Sequence, residues 1–293
     1  MAILRRLDKG VDITRASWSV LRKDRELLIF PVLSTISATA IVVTILSAGY
    51  LMPGFGEWLS QIFDNKRPHS LSEQILGGLC LLLVYFVEWV IAVYFNTALV
   101  GCAIMRFEGG NPTVADGFRI ANRRLPQILA WALFAAVVGT LLSAIEQNLG
   151  WFGKIVLRFI GLAWAVATYF VVPVLAEEGV GPLTAVQRSV GLLKKTWGEA
   201  LVGNITIQLG SFGLMFLMTL FLVGGIFLAV FLESLLVAII TGIIFFIFLM
   251  ILAIVTSALR QVFLAGLYQY AKTGNVPDGF SEQMMLSALK SAK

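Results

Sequence analysis

The 293-residue chain is 58% hydrophobic and 13% charged, with a formal net charge of +5 and a mean hydropathy of +0.88. Soluble domains carry about 25% charged residues, so a water-facing globule of this length would lack polar surface, and the bilayer is the natural solvent. Two cysteines and one histidine exclude a disulfide framework and a His–Glu-x-x-His zinc site.

The arm from Met1 to Glu26 is basic, and an apolar run, Pro31–Met52, follows it. No Ala-x-Ala cleavage site comes after that run, so it reads as a retained span rather than a signal peptide. A helical span needs about 20 apolar residues. Five further stretches qualify: roughly Ile75–Ala103, Leu125–Ile145, Ile155–Ala176, Ala200–Val223 and Leu235–Leu259. Runs such as Ile239–Val255 do not alternate in polarity as barrel strands do. Cys80 and Cys102 fall on one helix, about 33 Å apart at ~1.5 Å per residue, beyond the reach of a disulfide. The fold class is therefore all-α: a polytopic transmembrane bundle of six spans in a single domain, 1–293.

Orientation follows from the connections. The N-terminal arm, the second and fourth connections and the tail hold 18 of the 22 Lys and Arg residues, leaving Lys66, Arg67, Lys154 and Arg158 on the other side. By the positive-inside rule both termini are cytoplasmic and the protein is a multi-pass component of a cell membrane. The net positive charge is thus a topology signal, and nucleic acid is not a partner. Between Glu199 and Arg260 the only charge is Glu233. Two spans leave spare apolar residues around Gly224–Glu233, which could extend both helices, lie in the interface or form a re-entrant tip.

Each inside connection carries an amphipathic segment and a basic pair. Leu7, Val11, Thr14, Trp18 and Leu21 recur at helical spacing before Arg22-Lys23; Val114, Phe118, Ala121 and Leu125 do so around Arg123-Arg124; Leu183, Val186, Val190, Leu193 and Trp197 do so around Lys194-Lys195. Thr113 and Asp116 suit the start of the second helix, Pro182 the first turn of the third. These predict three cytoplasmic amphipathic helices lying at the inner face. The six basic-pair residues are candidate lipid-facing contacts, with anionic lipid as partner. A three-unit repeat, 1–106, 107–178 and 179–272, with a short polar tail 273–293, is one organisation of this pattern; ordinary basic connections are the other.

Val172-Pro173-Val174-Leu175-Ala176-Glu177-Glu178, Pro182, Ala185, Arg188-Ser189 and Trp197-Gly198 resemble the signature of a prokaryotic domain-of-unknown-function family of six-span membrane proteins. Ala16-Ser17-Trp18, Phe30-Pro31-Val32-Leu33, Leu267-Tyr268 and Gly274 fit the same family. Its layout is distantly similar to the membrane domain of glycerophosphodiester phosphodiesterases. The resemblance implies a prokaryotic cell membrane and supplies no active-site residues.

Chemistry is sparsely provided. His69 stands in an outside loop, all six aspartates lie outside the spans, and Gly109-Gly110-Asn111-Pro112 lacks the lysine of a phosphate loop. No catalytic residue, cofactor or metal ligand is assigned. Glu88 lies about 18 Å into its span and is expected, with Asn96, to form a buried polar site facing the bundle interior. Glu146 and Arg158 are expected to pair at the outer end of one hairpin. Glu177 and Glu178 are expected to cap, or to pair with Arg188 or Lys194. Gly203, Gly210, Ser211 and Gly213 suit close helix packing. The reading is a non-enzymatic protein that organises lipid or binds partners, a protein or a second copy; the alternative is a small transporter or channel working around Glu88.

Overall fold

The computed structural model describes residues 14–51, 71–147, 149–277 and 280. Among them every regular element is helical. Helix α1 covers 14–23, and a 3₁₀ turn, Arg25–Leu28, leads into α2, Ile29–Leu51. Then follow α3 (Leu71–Phe107), α4 (Val114–Arg123), α5 (Leu125–Gln147), α6 (Trp151–Ala167), α7 (Val171–Glu177), α8 (Pro182–Phe231) and α9 (Leu235–Thr273). Leu7, Val11, His69 and the tail beyond 280 lie outside the described residues.

Six segments of these helices are long and apolar enough to cross a membrane: Arg25–Ile45, Gly78–Phe107, Leu125–Glu146, Trp151–Glu177, Ile207–Phe231 and Leu235–Thr273. Their large apolar side chains, among them Phe212, Phe216, Phe246 and Ile251, are exposed along whole faces. A water-soluble monomer does not display such a surface; hydrocarbon is its solvent. The prolines Pro31, Pro126, Pro173 and Pro182 all fall within the first three residues of their helices, where the missing N–H costs nothing because no acceptor precedes it.

The third inside segment is not a separate helix. α8 runs unbroken from Pro182 through the fifth span, 50 residues in all. That is about 75 Å, more than twice the ~30 Å of hydrocarbon. No glycine–proline break interrupts it, so backbone hydrogen bonding continues out of the apolar run instead of stopping at its edge. The second segment, α4, is a ten-residue helix folded back on α3. Its Phe118 ring meets Phe95 at 6.5 Å, and Ile120 sits on Gly101, where a Cβ would come within 2.8 Å of it.

The chain packs as two compact units: 1–31, 102–114 and 192–293 in one, and 32–101 and 115–191 in the other. In the first unit the C-terminal half of α9 is the core. Phe263, Leu267 and Tyr268 are buried there, as are Leu21, Leu27 and Phe30, and the 3₁₀ turn rests on α9. Gly274, with φ +75, closes α9 in the left-handed conformation, its N–H donating to Tyr270 O. Phe280 stands edge-on to Phe107 at 5.9 Å over Gly266.

In the same unit α8 and α9 form an antiparallel hairpin. Ser211 Oγ and Thr256 Oγ1 are hydrogen-bonded at 2.9 Å, and Gly225 lies against Thr241. The spare apolar residues at the tip extend both helices. The turn is a Schellman closure: Ser234 N–H donates to Ala229 O and Glu233 N–H to Val230 O. Glu233 takes the left-handed position, φ 49, that glycine usually fills, a strain of about 1 kcal/mol. Among the small residues singled out in α8, Ser211 makes the contact, whereas Gly210 and Gly213 face open space; the side chains around Gly203 are not among those described.

In the second unit the α5–α6 hairpin is held by aromatic packing. Trp131 and Trp164 stack at 6.0 Å, with Phe134 against both.

Candidate functional site

The fourth span is broken between α6 and α7. The Phe170 N–H released by the break is buried and donates to Ser189 Oγ at 2.9 Å. This meets the rule that non-helical backbone at membrane depth must find a partner inside the protein. At the other end of α7 the last carbonyls have no intrahelical donor. Arg124 supplies two: Nη2 donates to Glu177 O at 2.6 Å and Nε to Ala176 O at 3.2 Å. Gly179 lies directly beneath the guanidinium with φ +64. Arg188 Nε then pairs with Glu178 at 3.4 Å, as the sequence suggested. The Pro173–Glu178, Arg188-Ser189 signature is therefore a device that breaks a span and ties down its end. Arg124 is corrected from a lipid-facing cation to a helix cap.

Glu88 is also corrected. It is exposed, not turned to a bundle interior. The packed face of α3 at this level passes through Val93, Thr97 and Val100, and Glu88 lies roughly 140° around the helix from Val93. Tyr94 Oη donates to Asn122 Oδ1 at 2.8 Å, which fixes Tyr94 at the level of the Arg123-Arg124 pair. Glu88 is only six residues above it, about 9 Å. Asn96 is half-buried and about 12 Å along the helix from Glu88, so the two form no joint polar site.

Glu146 and Arg158 are both exposed, and no ion pair joins them. Glu146 stays at the tight turn, where Leu149 N–H donates to its carbonyl. Arg158 is seven residues into α6, about 10 Å along it, and the neighbouring Leu157 takes the buried face. Of the remaining basic candidates, Arg22, Lys23, Arg123 and Lys194 are exposed; the side chain of Lys195 lies outside the described residues. Trp18 is 42% exposed.

A polar pocket that the basic pairs only partly announced lies in the first unit. α3 ends in a Schellman closure in which Gly109, φ +85, donates to Arg106 O and Gly110 N–H reaches Met105 O. A Cβ on Gly110 would stand 3.0 Å from that carbonyl, tighter than an ordinary contact, and the left-handed φ of Gly109 is the position that favours glycine. The closure returns Asn111 to Arg106, whose Nη2 donates to Asn111 Oδ1 at 2.8 Å. Nε and Nη2 of Arg106 grip both oxygens of Asp24, the residue between α1 and the 3₁₀ turn. Asp24 is 8% exposed. This ion pair clamps the end of α3 to the start of the first span. Between them opens a cavity of about 320 Å³ with Arg22, Lys23, Arg25 and Glu26 on one wall and Asn111 and Thr113 on the other. Sequence reasoning found Arg22 and Lys23 but missed Asp24 and Arg106, because nothing local links residues 82 positions apart. Among the described residues no three His, Cys, Asp or Glu side chains converge as metal ligands would.

A family model matches residues 75–279, that of a family of unknown function (DUF6159). No curated protein matches the chain.

Proposed function

The chain belongs to this family of unknown function, and we propose that it is a non-enzymatic, multi-pass protein of a prokaryotic cell membrane that gathers anionic lipid at the inner face. On this reading both termini are cytoplasmic, and the lipid so held organises the surrounding membrane or presents it to a protein partner or a second copy. The supporting observation is a division among the basic residues. Arg106, Arg124 and Arg188 are consumed by Asp24, by backbone carbonyls and by Glu178. Arg22, Lys23, Arg25, Arg123 and Lys194 are exposed, and their side chains form no ion pair or hydrogen bond among the described residues. Cations left unpaired at the ends of spans face lipid headgroups, at about 1 kcal/mol each near an anionic surface. The likeness of layout to the phosphodiesterase membrane domains plays no part in this reading. Transport around Glu88 has lost the interior site that motivated it.

The test is the lipid composition around the protein. Excised from the membrane in polymer discs, it is expected to carry more anionic lipid than the bulk membrane, and less after Arg123→Gln with Lys194→Gln. A composition equal to the bulk would overturn the reading. Single cysteines at Ser60 and Ser281, in a chain lacking Cys80 and Cys102, test the orientation: they are expected to label from opposite sides.

A further inference from the structure

We propose that the cavity between the 3₁₀ turn and the α3–α4 connection is a binding site for one phosphate ester, held by Arg22, Lys23 and Arg25. The proposal deepens the lipid reading and rests on it for the source of the ligand. Three observations carry it. First, the charge is uncompensated. Among the described residues that line it, Arg22, Lys23 and Arg25 stand with Glu26 and with an Asp24 already taken by Arg106, so two positive charges remain in excess. Asp24 cannot neutralise the wall because both of its oxygens are already engaged by Arg106. Second, the volume fits. About 320 Å³ is at the lower end of small-molecule sites, roughly 300–1,000 Å³, and suits a headgroup rather than a peptide or a nucleotide chain. Third, the place fits. Arg25 is the first residue of one span and Phe107 the last of the next, so the cavity opens where both chains leave the hydrocarbon.

The donor set matches phosphate. Two guanidinium groups present forked N–H pairs to its oxygens, and an ammonium adds a third, rotatable donor. Thr113 stands at the N-terminal end of α4, the positive end of that helix. The Asp24–Arg106 clamp fixes the backbone of both walls, while the exposed cationic side chains remain to be ordered by the ligand.

A lipid headgroup and a free phosphate share this chemistry, and the experiment separates them. The full chain in detergent is titrated with phosphatidylglycerol and, separately, phosphatidylcholine, with bound lipid counted by native mass spectrometry. Calorimetry follows inorganic phosphate. One phosphatidylglycerol is expected to bind ahead of all others. Charge near such a site is worth about fivefold in affinity per cation. The triple variant R22Q/K23Q/R25Q should therefore weaken that first lipid about a hundredfold, and Glu26→Gln should tighten it about fivefold. Arg123→Gln with Lys194→Gln should leave it unchanged. Undiminished first-lipid binding by a folded triple variant overturns the pocket; a simultaneous loss in the Arg123 and Lys194 variant would leave the wider lipid reading standing. Phosphate binding that the triple variant abolishes, without preference for phosphatidylglycerol, supports the pocket and overturns the lipid source. If the triple variant fails to fold, Glu26→Gln decides, and no tightening there refutes the proposal.

Discussion

Asp24 and Arg106, 82 residues apart in sequence, meet through both carboxylate oxygens and two guanidinium nitrogens. The carboxylate is buried and the guanidinium partly so. Removing one partner of such a pair leaves a desolvated charge behind, at about 3 kcal/mol. Asp24→Asn and Arg106→Gln are each expected to destabilise the protein by about that amount. The double variant should cost clearly less than the sum, because neither charge is stranded. Unfolding followed by steric trapping in bicelles, across all four proteins, measures this coupling. Additive losses would mean that the pair is not a clamp.

The same contrast between local pattern and distant contact decides what the sequence could reveal. Six spans were legible because lipid demands long apolar runs, and the second, third and fourth runs end within a few residues of the observed segments, whereas the helices of the fifth and sixth continue well beyond theirs. The extended tip around Glu233 and the continuity of α8 were not legible. An apolar residue reads the same whether its helix stops or continues, and a glutamate at a glycine position gives no signal of a left-handed turn. The break after Ala167 was hidden for a related reason. Pro173 marks the start of α7 without showing that the preceding helix stops short of it, and the hydroxyl that makes the break tolerable comes from Ser189, in another helix. The basic pairs were read as equivalent, but Arg124 caps a helix while Arg123 beside it is exposed and bonds to none of the described residues. Neighbours on a helix point about 100° apart, so adjacent identical residues have different fates.

Gly179 tests the capping device. Its φ is +64, and a Cβ there would overlap the Arg124 guanidinium. Gly179→Ala should cost about 1–2 kcal/mol for the left-handed backbone alone. It should cost more because Arg124 must leave the Ala176 and Glu177 carbonyls. Arg124→Gln is expected to be destabilising too, and in the Arg124→Gln background Gly179→Ala should lose part of its effect. Thermal unfolding of the four variants in one detergent checks this. An equal penalty in both backgrounds would separate the glycine from the cap.

Gly225 offers a steric test of the α8–α9 hairpin. A Cβ there would overlap the Thr241 side chain, and overpacking of a close helix contact typically costs about 1–3 kcal/mol. Gly225→Ala is expected to lower stability within that range, and adding Thr241→Ala should recover most of it by vacating the space. Gly210→Ala and Gly213→Ala, which meet nothing within 4 Å, should be neutral. If all three glycine substitutions lowered stability alike, contact with Thr241 would not be the cause.

Glu88 brings position and charge into conflict, and its substitution shows which governs. Ionised carboxylates at the bilayer centre cost about 2.5–3.5 kcal/mol, yet this one is exposed on an otherwise apolar span and forms no ion pair or hydrogen bond among the described residues. Among the described residues no donor offsets that cost. On that account the protein gains nothing from the charge. Glu88→Gln should leave thermal stability unchanged, and Glu88→Leu should raise it slightly by matching the side chain to its solvent. Both variants should retain the lipid preference of the parent protein. A loss of stability in Glu88→Leu that Glu88→Gln does not share would show that a partner covers this face and donates to the carboxylate. Cross-linking from a cysteine at position 88 in the native membrane would then identify whether that partner is a second copy of the chain.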